Sequence, residues 1–371
     1  MRLTAWPAYH KESPLTIPDV YDGSLAFLPA VYILITKAWP KLTWTVCQST
    51  IHLDLSFGVT VEESTALPKE KTVGPGHKSG FVAVIGKPNV GKSTLINDYV
   101  GAKIAIVSDK PQTTRRVIRG ILTRSDAQVI FVDTPGIHKP AHKLGRVMVE
   151  SATRVLGEVD VVVFIVDGSR MPTKDDLQIG QLLNDKCHVP VLLALNKMDL
   201  LKPIDIQAVT EAFWAIVKHE DWMRISATRK DNLDKLLDLI LVRLPEGPEL
   251  FPPDQVTDQP LQVIASELVR EQVLQETRQE IPHSIAVAID EWEDRRPDLT
   301  HISATIYVER DSQKAIVIGA RGAMLKKIGQ AARAEIEDWV GHQVYLELWV
   351  KVWSRWREQE ESLHELGYGP Q

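Results

Sequence analysis

The sequence predicts an α/β domain with a mostly parallel sheet, followed by a smaller α+β domain, and three observations support this fold class. Continuous Val/Ile/Leu runs alternate with segments of helical period over residues 79–246, as expected for strands that are covered on both faces of a parallel sheet. A Pro-rich, acidic stretch at 247–259 is typical of a linker. Beyond it, the pattern over 260–355 predicts the order helix, strand, strand, helix, helix, strand.

Length and composition limit the function classes. The chain has 371 residues, 44% hydrophobic and 25% charged, which leaves room for more than one core. A net charge of -6 argues against a protein that coats nucleic acid through its overall charge. Any polyanion must therefore bind at a local basic patch. Cys47 and Cys187 lack disulfide or zinc spacing. The longest apolar run, at 25–35, is too short to span a bilayer, and no transmembrane segment is expected.

The two ends of the chain differ from the rest. Residues 1–78 contain scattered Trp and Pro and end in a polar stretch. We interpret them as an N-terminal extension that is either poorly ordered or included from a non-native start. Their layout fits neither a signal peptide nor a transit peptide. Residues 356–371 are interpreted as a C-terminal tail.

The stretch GKPNVGKS at 86–93 fits GxxxxGK[ST] and lies between the strand FVAVI and the helix STLINDYV. In that context, backbone N–H groups and the positive end of the helix can surround the β-phosphate of a nucleotide. Lys92 would reach the β- and γ-phosphates, and Ser93 would ligate magnesium. The predicted nucleotide-binding residues of this loop are Gly86, Lys87, Pro88, Asn89, Val90, Gly91, Lys92, Ser93 and Thr94.

Three further motifs, each at the end of a predicted strand, point to guanine. In DTPG, Asp133 would hold the magnesium shell and the N–H of Gly136 would meet the γ-phosphate. In NKMD, the Asp199 carboxylate can accept both N1–H and the 2-amino group of guanine, a donor pair that adenine lacks. Ser226–Ala227 would bring an N–H to the guanine O6. The predicted residues are Asp133, Thr134, Pro135, Gly136, Asn196, Lys197, Asp199, Ser226 and Ala227.

The stretch SDKPQTTRRVIRG, at 108–120, is a candidate for a mobile loop that closes on magnesium when a γ-phosphate is present. We favour Thr114 over Thr113 as the ligand. The alternative is a polar loop that only precedes a strand. The predicted metal ligands are Ser93, Thr114 and Asp133, and the predicted catalytic residues of these motifs are Lys92, Thr114 and Gly136.

Together, GKPNVGKSTL, QTTRR, DTPGIHKP and NKMD resemble the Era family of bacterial GTPases, and the resemblance extends from about residue 80 nearly to the end. It implies a P-loop GTPase domain that uses Mg²⁺ to hydrolyse GTP to GDP and phosphate. Ile137, which follows DTPG, cannot orient a water molecule, so intrinsic hydrolysis is expected to be slow. The resemblance also implies that Asn89 is a catalytic residue, because it would help bind K⁺. The alternative is that Asn89 is only a turn residue.

A second glycine-rich loop, Gly319 to Gly322, is GxxG and is too short to surround a β-phosphate. Between two predicted helices it suits the sugar-phosphate backbone of single-stranded RNA, as in a type II KH domain. Acidic residues outnumber basic ones from residue 261 onward, so affinity must come from a local cluster and from base contacts. The alternative is a plain helix-helix turn. The predicted RNA-binding residues are Ile318, Gly319, Ala320, Arg321, Gly322, Lys326 and Lys327, with Arg333 beside them.

Near the C-terminus, Trp353 and Trp356 lie among basic residues and are interpreted either as core or as a second RNA-contacting surface. For the whole chain, the family resemblance implies binding to the 3′ end of small-subunit ribosomal RNA and a role in assembly of that subunit. It also implies peripheral association at the inner face of the cell membrane. We further expect the protein to be a cytoplasmic monomer. Two alternatives remain open: a GTPase acting in tRNA modification or large-subunit assembly, and an RNA-binding module with a structural nucleotide site.

Overall fold

The fold is taken from a computed structural model, which describes residues 76–108, 110, 113–137, 142–277 and 284–368. The predicted extension at 1–78 therefore lies almost wholly outside the described residues, as does Cys47. None of the described helices combines the length and apolar character needed to cross a membrane.

The first domain is built on a six-stranded sheet in the order β2-β3-β1-β4-β5-β6. All neighbouring strands are parallel except β2 and β3, which are antiparallel. The strands are β1 Lys78–Ile85, β2 Ile118–Thr123, β3 Ala127–Asp133, β4 Val161–Asp167, β5 Val191–Asn196 and β6 Asp221–Arg224. The predicted α/β class is thus confirmed, with one strand, β2, that the continuous Val/Ile/Leu runs did not indicate.

Helices cover both faces of this sheet. They are α1 Lys92–Val100, α2 Lys143–Val155, α3 Lys174–Lys186, α4 Ile206–Trp214 and α5 Leu233–Arg243. Strands β3, β4 and β5 are buried at every residue, which explains their continuous apolar sequence. Two hydrophobic clusters lie on opposite sides of the sheet; Val84 belongs to one and Ile85 to the other. The carboxyl ends of β1, β3 and β5 therefore carry the predicted phosphate, magnesium and guanine motifs to one edge.

The predicted linker packs on the first domain. Its Leu250 and Phe251 donate backbone hydrogen bonds to the side chain of Gln128, at 2.6 and 2.9 Å. Thr257 forms an isolated bridge with Gly120 of β2. The linker is therefore ordered against the edge of the sheet.

The second domain has the predicted order of elements. They are α6 Leu261–Glu276, β7 Ala286–Arg296, β8 Leu299–Val308, α7 Asp311–Ile318, α8 Ala323–Val340 and β9 Gln343–Val352. The sheet order is β7-β8-β9, with β7 antiparallel and β9 parallel to β8. One face of this sheet packs on the helices through a core that includes Ile302, Ile306 and Ile336. The fold is that of a type II KH domain.

The residues that follow β9 form secondary structure, although the sequence suggested a tail from residue 356. Residues after β9 form a 3-10 turn at Trp356–Glu358 and a short helix, α9 Glu360–Glu365. Trp356 is fully buried and packs with Leu144 and Met148 of α2 in a fourth hydrophobic cluster. Its indole N–H donates to the carbonyl of Ser284 at 2.9 Å. This Trp therefore belongs to a core, and the alternative of an RNA-contacting Trp356 is wrong because the side chain has no exposed surface.

Candidate functional site

The first glycine-rich loop is shaped around a phosphate-sized space. Gly91 has φ +103°, a left-handed conformation that favours glycine, and a Cβ added there would lie 2.3 Å from Asn196 Nδ2. Gly86 is equally confined, since its Cβ would lie 2.3 Å from the Ile165 carbonyl. The loop lines a small cavity of about 50 Å³ together with Thr113, Thr114 and Gly136. A residue larger than glycine at either position would displace the loop backbone.

Lys92 lies under this loop and donates hydrogen bonds to the carbonyls of Gly86, at 3.2 Å, and Lys87, at 3.1 Å. Burial lowers the pKa of Lys92 to about 8, while the Asp133 carboxylate acts in the opposite direction. A polyphosphate bound in the loop would add negative charge beside this ammonium and favour its protonated form. The position therefore suits a lysine that binds phosphate.

The side chain of Lys87, a predicted nucleotide-binding residue, is directed toward α3. Its ammonium lies 2.6 Å from Asp176 Oδ2 and 3.2 Å from Thr173 Oγ1, both at the start of α3. The side chain therefore ties the loop to α3, and the carbonyl of Lys87 accepts the hydrogen bond from Lys92.

The three predicted metal ligands meet at one point. Ser93 Oγ donates to Asp133 Oδ2 at 2.8 Å, and Thr114 Oγ1 lies 3.0 Å from Ser93 Oγ and 3.2 Å from Asp133 Oδ2. Asp133 Oδ1 is buried and has no hydrogen-bond partner among the described residues. Burial raises the pKa of Asp133, against the effects of Lys92, Ser93 and Thr114. Hydroxyl and carboxylate oxygens at these positions fit Mg²⁺, which would stabilise the buried carboxylate.

The DTPG motif is held close to the phosphate loop. Thr134 Oγ1 donates to the carbonyl of Val84 at 2.8 Å, and a Cβ on Gly136 would lie 2.6 Å from the backbone N of Pro88. Ile137 is only 7% exposed and packs in the first domain's core, and its N–H donates to the carbonyl of Gly86 at 3.3 Å. Its side chain is therefore turned away from the phosphate space, as its apolar character predicts.

Asn196 connects three of the predicted motifs. Its Nδ2 donates to the carbonyl of Val90 at 2.7 Å, and its Oδ1 accepts from the N–H of Ala227 at 2.9 Å. Lys197 has a left-handed backbone and donates to the carbonyl of Asn89 at 2.6 Å. Sequence reasoning assigned these residues to the base; the structure shows that both also hold the phosphate loop in place.

The candidate base site lies beside Asp199. Its Oδ1 is buried and has no hydrogen-bond partner among the described residues. Asp199 and Ser226 line one cavity, and Ala227 with Thr94 lines a neighbouring open one. The N–H of Ser226 donates to the Asp231 carbonyl, and the Ala227 N–H donates to Asn196, so a guanine O6 would share the Ala227 donor. The unpartnered carboxylate oxygen fits a donor such as guanine N1–H.

The GxxG loop lies between α7 and α8. Gly319 has φ +71°, and a Cβ there would lie 2.6 Å from Met324 Cβ. Gly322 has φ +79° but faces open space. Arg321, at φ 51°, is exposed at the tip of the turn. Ala320 is also exposed, and Ile318 is partly buried against the domain core.

A groove of about 400 Å³ runs beside this loop and has an apolar floor with a basic rim. The lining residues are Gly322, Leu325, Lys326, Gly329, Gln330, Arg333, Tyr345, Leu346 and Leu348. Lys326 is exposed on the rim, whereas Lys327 lies 2.6 Å from Glu276 of α6. The apolar floor suits bases, and the loop suits a phosphate backbone. Lys327 is thus paired with an acidic residue, and Arg333 lies 3.9 Å from Glu337 on the same helix.

Sequence reasoning missed the contacts between the predicted switch loop and the second domain. Arg270 of α6 donates to the carbonyl of Thr113, Arg115 donates to the carbonyl of Ile285, and Arg116 donates to the carbonyl of Leu366. Arg115 and Arg270 are buried. The sequence does show an Arg pair directly after the two threonines. It does not indicate which backbone carbonyls these arginines contact.

Comparison with known proteins identifies both domains. Residues 81–197 match the family described as 50S ribosome-binding GTPase, and residues 280–357 match the KH domain family. Era in complex with MgGDPNP and nucleotides 1506–1542 of 16S ribosomal RNA is similar, with 41% identity and a TM-score of 0.76, over 79% of this chain and 100% of that chain. A point variant of Aquifex aeolicus Era bound to GDP·AlF4⁻ gives 41% identity and a TM-score of 0.75, with the same coverage.

Proposed function

Because this chain belongs to the Era family of GTPases, we propose that it is a GTP-hydrolysing switch that binds the 3′ end of small-subunit ribosomal RNA during assembly of that subunit. The observation that carries the proposal is one chain with two sites: a buried oxygen cluster beside a phosphate loop, and an apolar groove beside a GxxG turn. The Era structure at 41% identity was solved with ligands of both kinds.

In the nucleotide site, Lys92 and the loop N–H groups bind and orient the phosphates. Ser93, Asp133 and Thr114 would hold Mg²⁺, which supplies positive charge to the β- and γ-phosphate oxygens when it is bound. Asp199 selects guanine over adenine by accepting two adjacent donors. Hydrolysis needs no covalent intermediate, so the residues of this chain position groups and stabilise charge.

Slow intrinsic turnover follows from the buried side chain of Ile137, which offers no atom to orient water. We propose that K⁺, held beside Asn89 at the mouth of the phosphate loop, supplies part of the missing positive charge. Asn89 lines the same cavity as Lys92 and Gly136, which supports this position. The rate of GTP hydrolysis in potassium and in sodium buffer tests the assignment. Equal rates in the two buffers would show that K⁺ does not take part in hydrolysis.

Coupling between the two sites is supported by the contacts around the switch loop. Thr113, Arg115 and Arg116 flank Thr114, and each contacts the second domain. A nucleotide that changes the position of Thr114 therefore changes the interface beside the RNA-binding domain. By linkage, RNA that favours one arrangement changes nucleotide affinity by the same factor. We propose that the protein acts in this way as a cytoplasmic monomer, with peripheral association at the inner face of the cell membrane.

The RNA target is tested by binding of the full-length chain, with MgGDPNP, to an RNA that copies the small-subunit 3′ end. A large-subunit RNA of equal length addresses the main alternative, since one matching family is described as 50S ribosome-binding. We expect the small-subunit RNA to bind more tightly, and Arg321→Glu to weaken that binding. Lys235→Glu makes the same charge change on exposed α5 and should have no effect. Tighter binding of the large-subunit RNA would overturn the assignment.

Enzymatic activity is tested separately, by release of phosphate from GTP and from ATP with Mg²⁺. Turnover of GTP alone supports the assignment. If neither nucleotide turns over, with or without RNA, the nucleotide site is structural and the chain is an RNA-binding module.

A further inference from the structure

A second cluster of metal-ligating side chains lies on the KH domain sheet, on the face opposite the helices. Glu291 and Glu293 alternate along β7, and Glu293 is directly opposite His301 on β8. A register shift between Ile289 and Glu291 precedes the pair. Since side chains two residues apart on a strand share a face, the three side chains project from the same side of the sheet.

The three side chains are close enough to share one ion. One ligand atom from each of Glu291, Glu293 and His301 lies within 4.8 Å of the other two. His301 Nδ1 is 3.9 Å from Glu291 Oε2. Ligands of a tetrahedral ion with bonds near 2.1 Å lie about 3.4 Å apart. The His301–Glu291 pair must therefore close by roughly half an ångström, and any other separation in the set, all within 4.8 Å, by at most about 1.4 Å. The exposed Glu291 side chain can make that shift by changing rotamer.

The imidazole supplies the independent observation that points to a ligand. The His301 side chain is 5% exposed, and its Nδ1 is buried and has no hydrogen-bond partner among the described residues. A buried polar nitrogen without a partner is costly in a folded protein. Because this nitrogen is directed toward the carboxylate of Glu291, an ion between them would satisfy both groups.

The surroundings of the ring suit a metal ligand. Tyr345 of β9 stacks on the imidazole, with ring centroids 5.5 Å apart and planes 20° apart. On the side away from Nδ1, Nε2 lies 3.8 Å from Glu347 Oε2. Metal-bound histidines commonly give their second N–H to a carboxylate, which fixes the tautomer. Glu347 is on the correct side of the ring to do this after a small movement.

From this geometry we propose that Glu291, Glu293 and His301 form a binding site for a divalent transition metal, with Zn²⁺ as the first probe. Imidazole nitrogen selects such ions over Mg²⁺ and Ca²⁺, which prefer all-oxygen sites. The carboxylates of Glu291, Glu293 and Glu347 around the ring also favour a dication. Arg295 lies 3.0 Å from Glu293 Oε2 and competes for it, but both side chains are half exposed and such pairs are weak.

Calorimetric titration of the full-length chain with ZnCl₂, in the presence of saturating MgGDP, tests the proposal. Glu291→Gln is expected to weaken one binding event by at least about tenfold. Asp298→Asn is the matched control, because it makes the same charge change on the exposed hairpin between β7 and β8. His301→Asn should remove the same event. Because Glu291 is exposed, its variant keeps the test valid if the His301 variant does not fold.

Thermal unfolding gives a second readout. Zn²⁺ should raise the unfolding temperature of wild type and of Asp298→Asn, and should have little effect on Glu291→Gln. Co²⁺ bound by one nitrogen and carboxylates should give a visible absorption band that Glu291→Gln loses. The proposal is overturned if wild type and Glu291→Gln bind the same number of Zn²⁺ ions with equal affinity, or if wild type binds none.

Discussion

Arg270, in the first helix of the KH domain, donates a hydrogen bond to the backbone carbonyl of Thr113, the residue directly before the proposed magnesium ligand Thr114. Arg270 is fully buried and is paired with Glu267, whose Oε2 lies 2.5 Å away and whose Oε1 lies 3.1 Å away. Burial alone would raise the pKa of Glu267, but Arg270 outweighs it and the pKa is lowered. The pair therefore stays ionised at the point where the two domains meet.

Because of this contact, we predict that a variant can lose the coupling between RNA binding and GTP hydrolysis and still hydrolyse GTP. Arg270→Met alone should destabilise the fold by about 3–5 kcal/mol, because it leaves the Glu267 carboxylate buried and unpaired. The double variant Arg270→Met, Glu267→Leu removes both charges and should fold. We expect it to keep GTP turnover in the absence of RNA and to lose most of the response to RNA, a coupling typically worth about 5–150-fold.

Phosphate release with and without RNA measures this effect. Arg243→Met is the control, since Arg243 forms its ion pairs with Glu220 and Asp221 inside the GTPase domain. An RNA response in the double variant equal to that of wild type would show that the Thr113 contact does not transmit the signal.

Asp199 predicts base specificity. Asp199→Asn replaces an acceptor with a donor, so it should lower GTP affinity by at least about 100-fold and improve binding of xanthosine triphosphate, whose C2 oxygen is an acceptor. Competition binding with the two nucleotides checks this exchange. Asp231→Asn, at the exposed edge of the same cavity, should leave both affinities unchanged. Unaltered GTP preference in Asp199→Asn would place guanine elsewhere.

The position of Ser93 leads to a prediction about Mg²⁺ affinity. Removing its hydroxyl in Ser93→Ala takes away one oxygen from the cluster around Asp133. We expect Mg²⁺ affinity, measured by titration of the GTP complex, to fall by about tenfold or more. Thr153→Ala, in α2 and remote from the cluster, is the control. A Mg²⁺ titration that is identical for Ser93→Ala and wild type would contradict the assigned ligand set.

Trp356 predicts that the end of the chain stabilises the fold. Trp356→Ala removes a fully buried side chain and should lower the free energy of unfolding by about 3–5 kcal/mol. Trp349→Ala, at a side chain that is 54% exposed, should change it by less than about 0.5 kcal/mol. Urea unfolding followed by circular dichroism measures both. Equal stability of the two variants would mean that residues after β9 add nothing to the core.

The geometry of the candidate nucleotide site was largely predictable from the sequence, because each of its motifs requires a particular local backbone conformation. The glycines at 86 and 91 have space for no side chain, and Ser93, Thr114 and Asp133 follow their strands and loops to a common point. The fully buried strands could be predicted equally well, since burial on both faces requires continuous apolar residues. By contrast, β2 is short, contains Arg119 and Gly120, and follows a polar loop, so it gave a weak strand signal.

Contacts between the domains could not be predicted in the same way. In α6, Glu267, Arg270, Glu271 and Gln272 are buried, although these residue types usually indicate a solvated face. Their partners include backbone carbonyls and N–H groups, such as the N–H of Val107 that donates to Glu271 at 3.0 Å. Backbone groups occur at every residue, so no sequence pattern identifies the one that a charged side chain will contact.

The most direct test of the central claim is the rate of GTP hydrolysis by the full-length chain, with and without RNA that copies the small-subunit 3′ end. We predict that RNA raises the rate and that Gly322→Asp, which places a carboxylate beside the RNA groove, removes the increase but keeps the rate without RNA. Gly322→Ala is the control, because it adds only a methyl group that extends into open space from the same left-handed backbone conformation. It should retain most of the increase. If the rate is the same with and without bound RNA, the two sites are not coupled and the switch account is wrong.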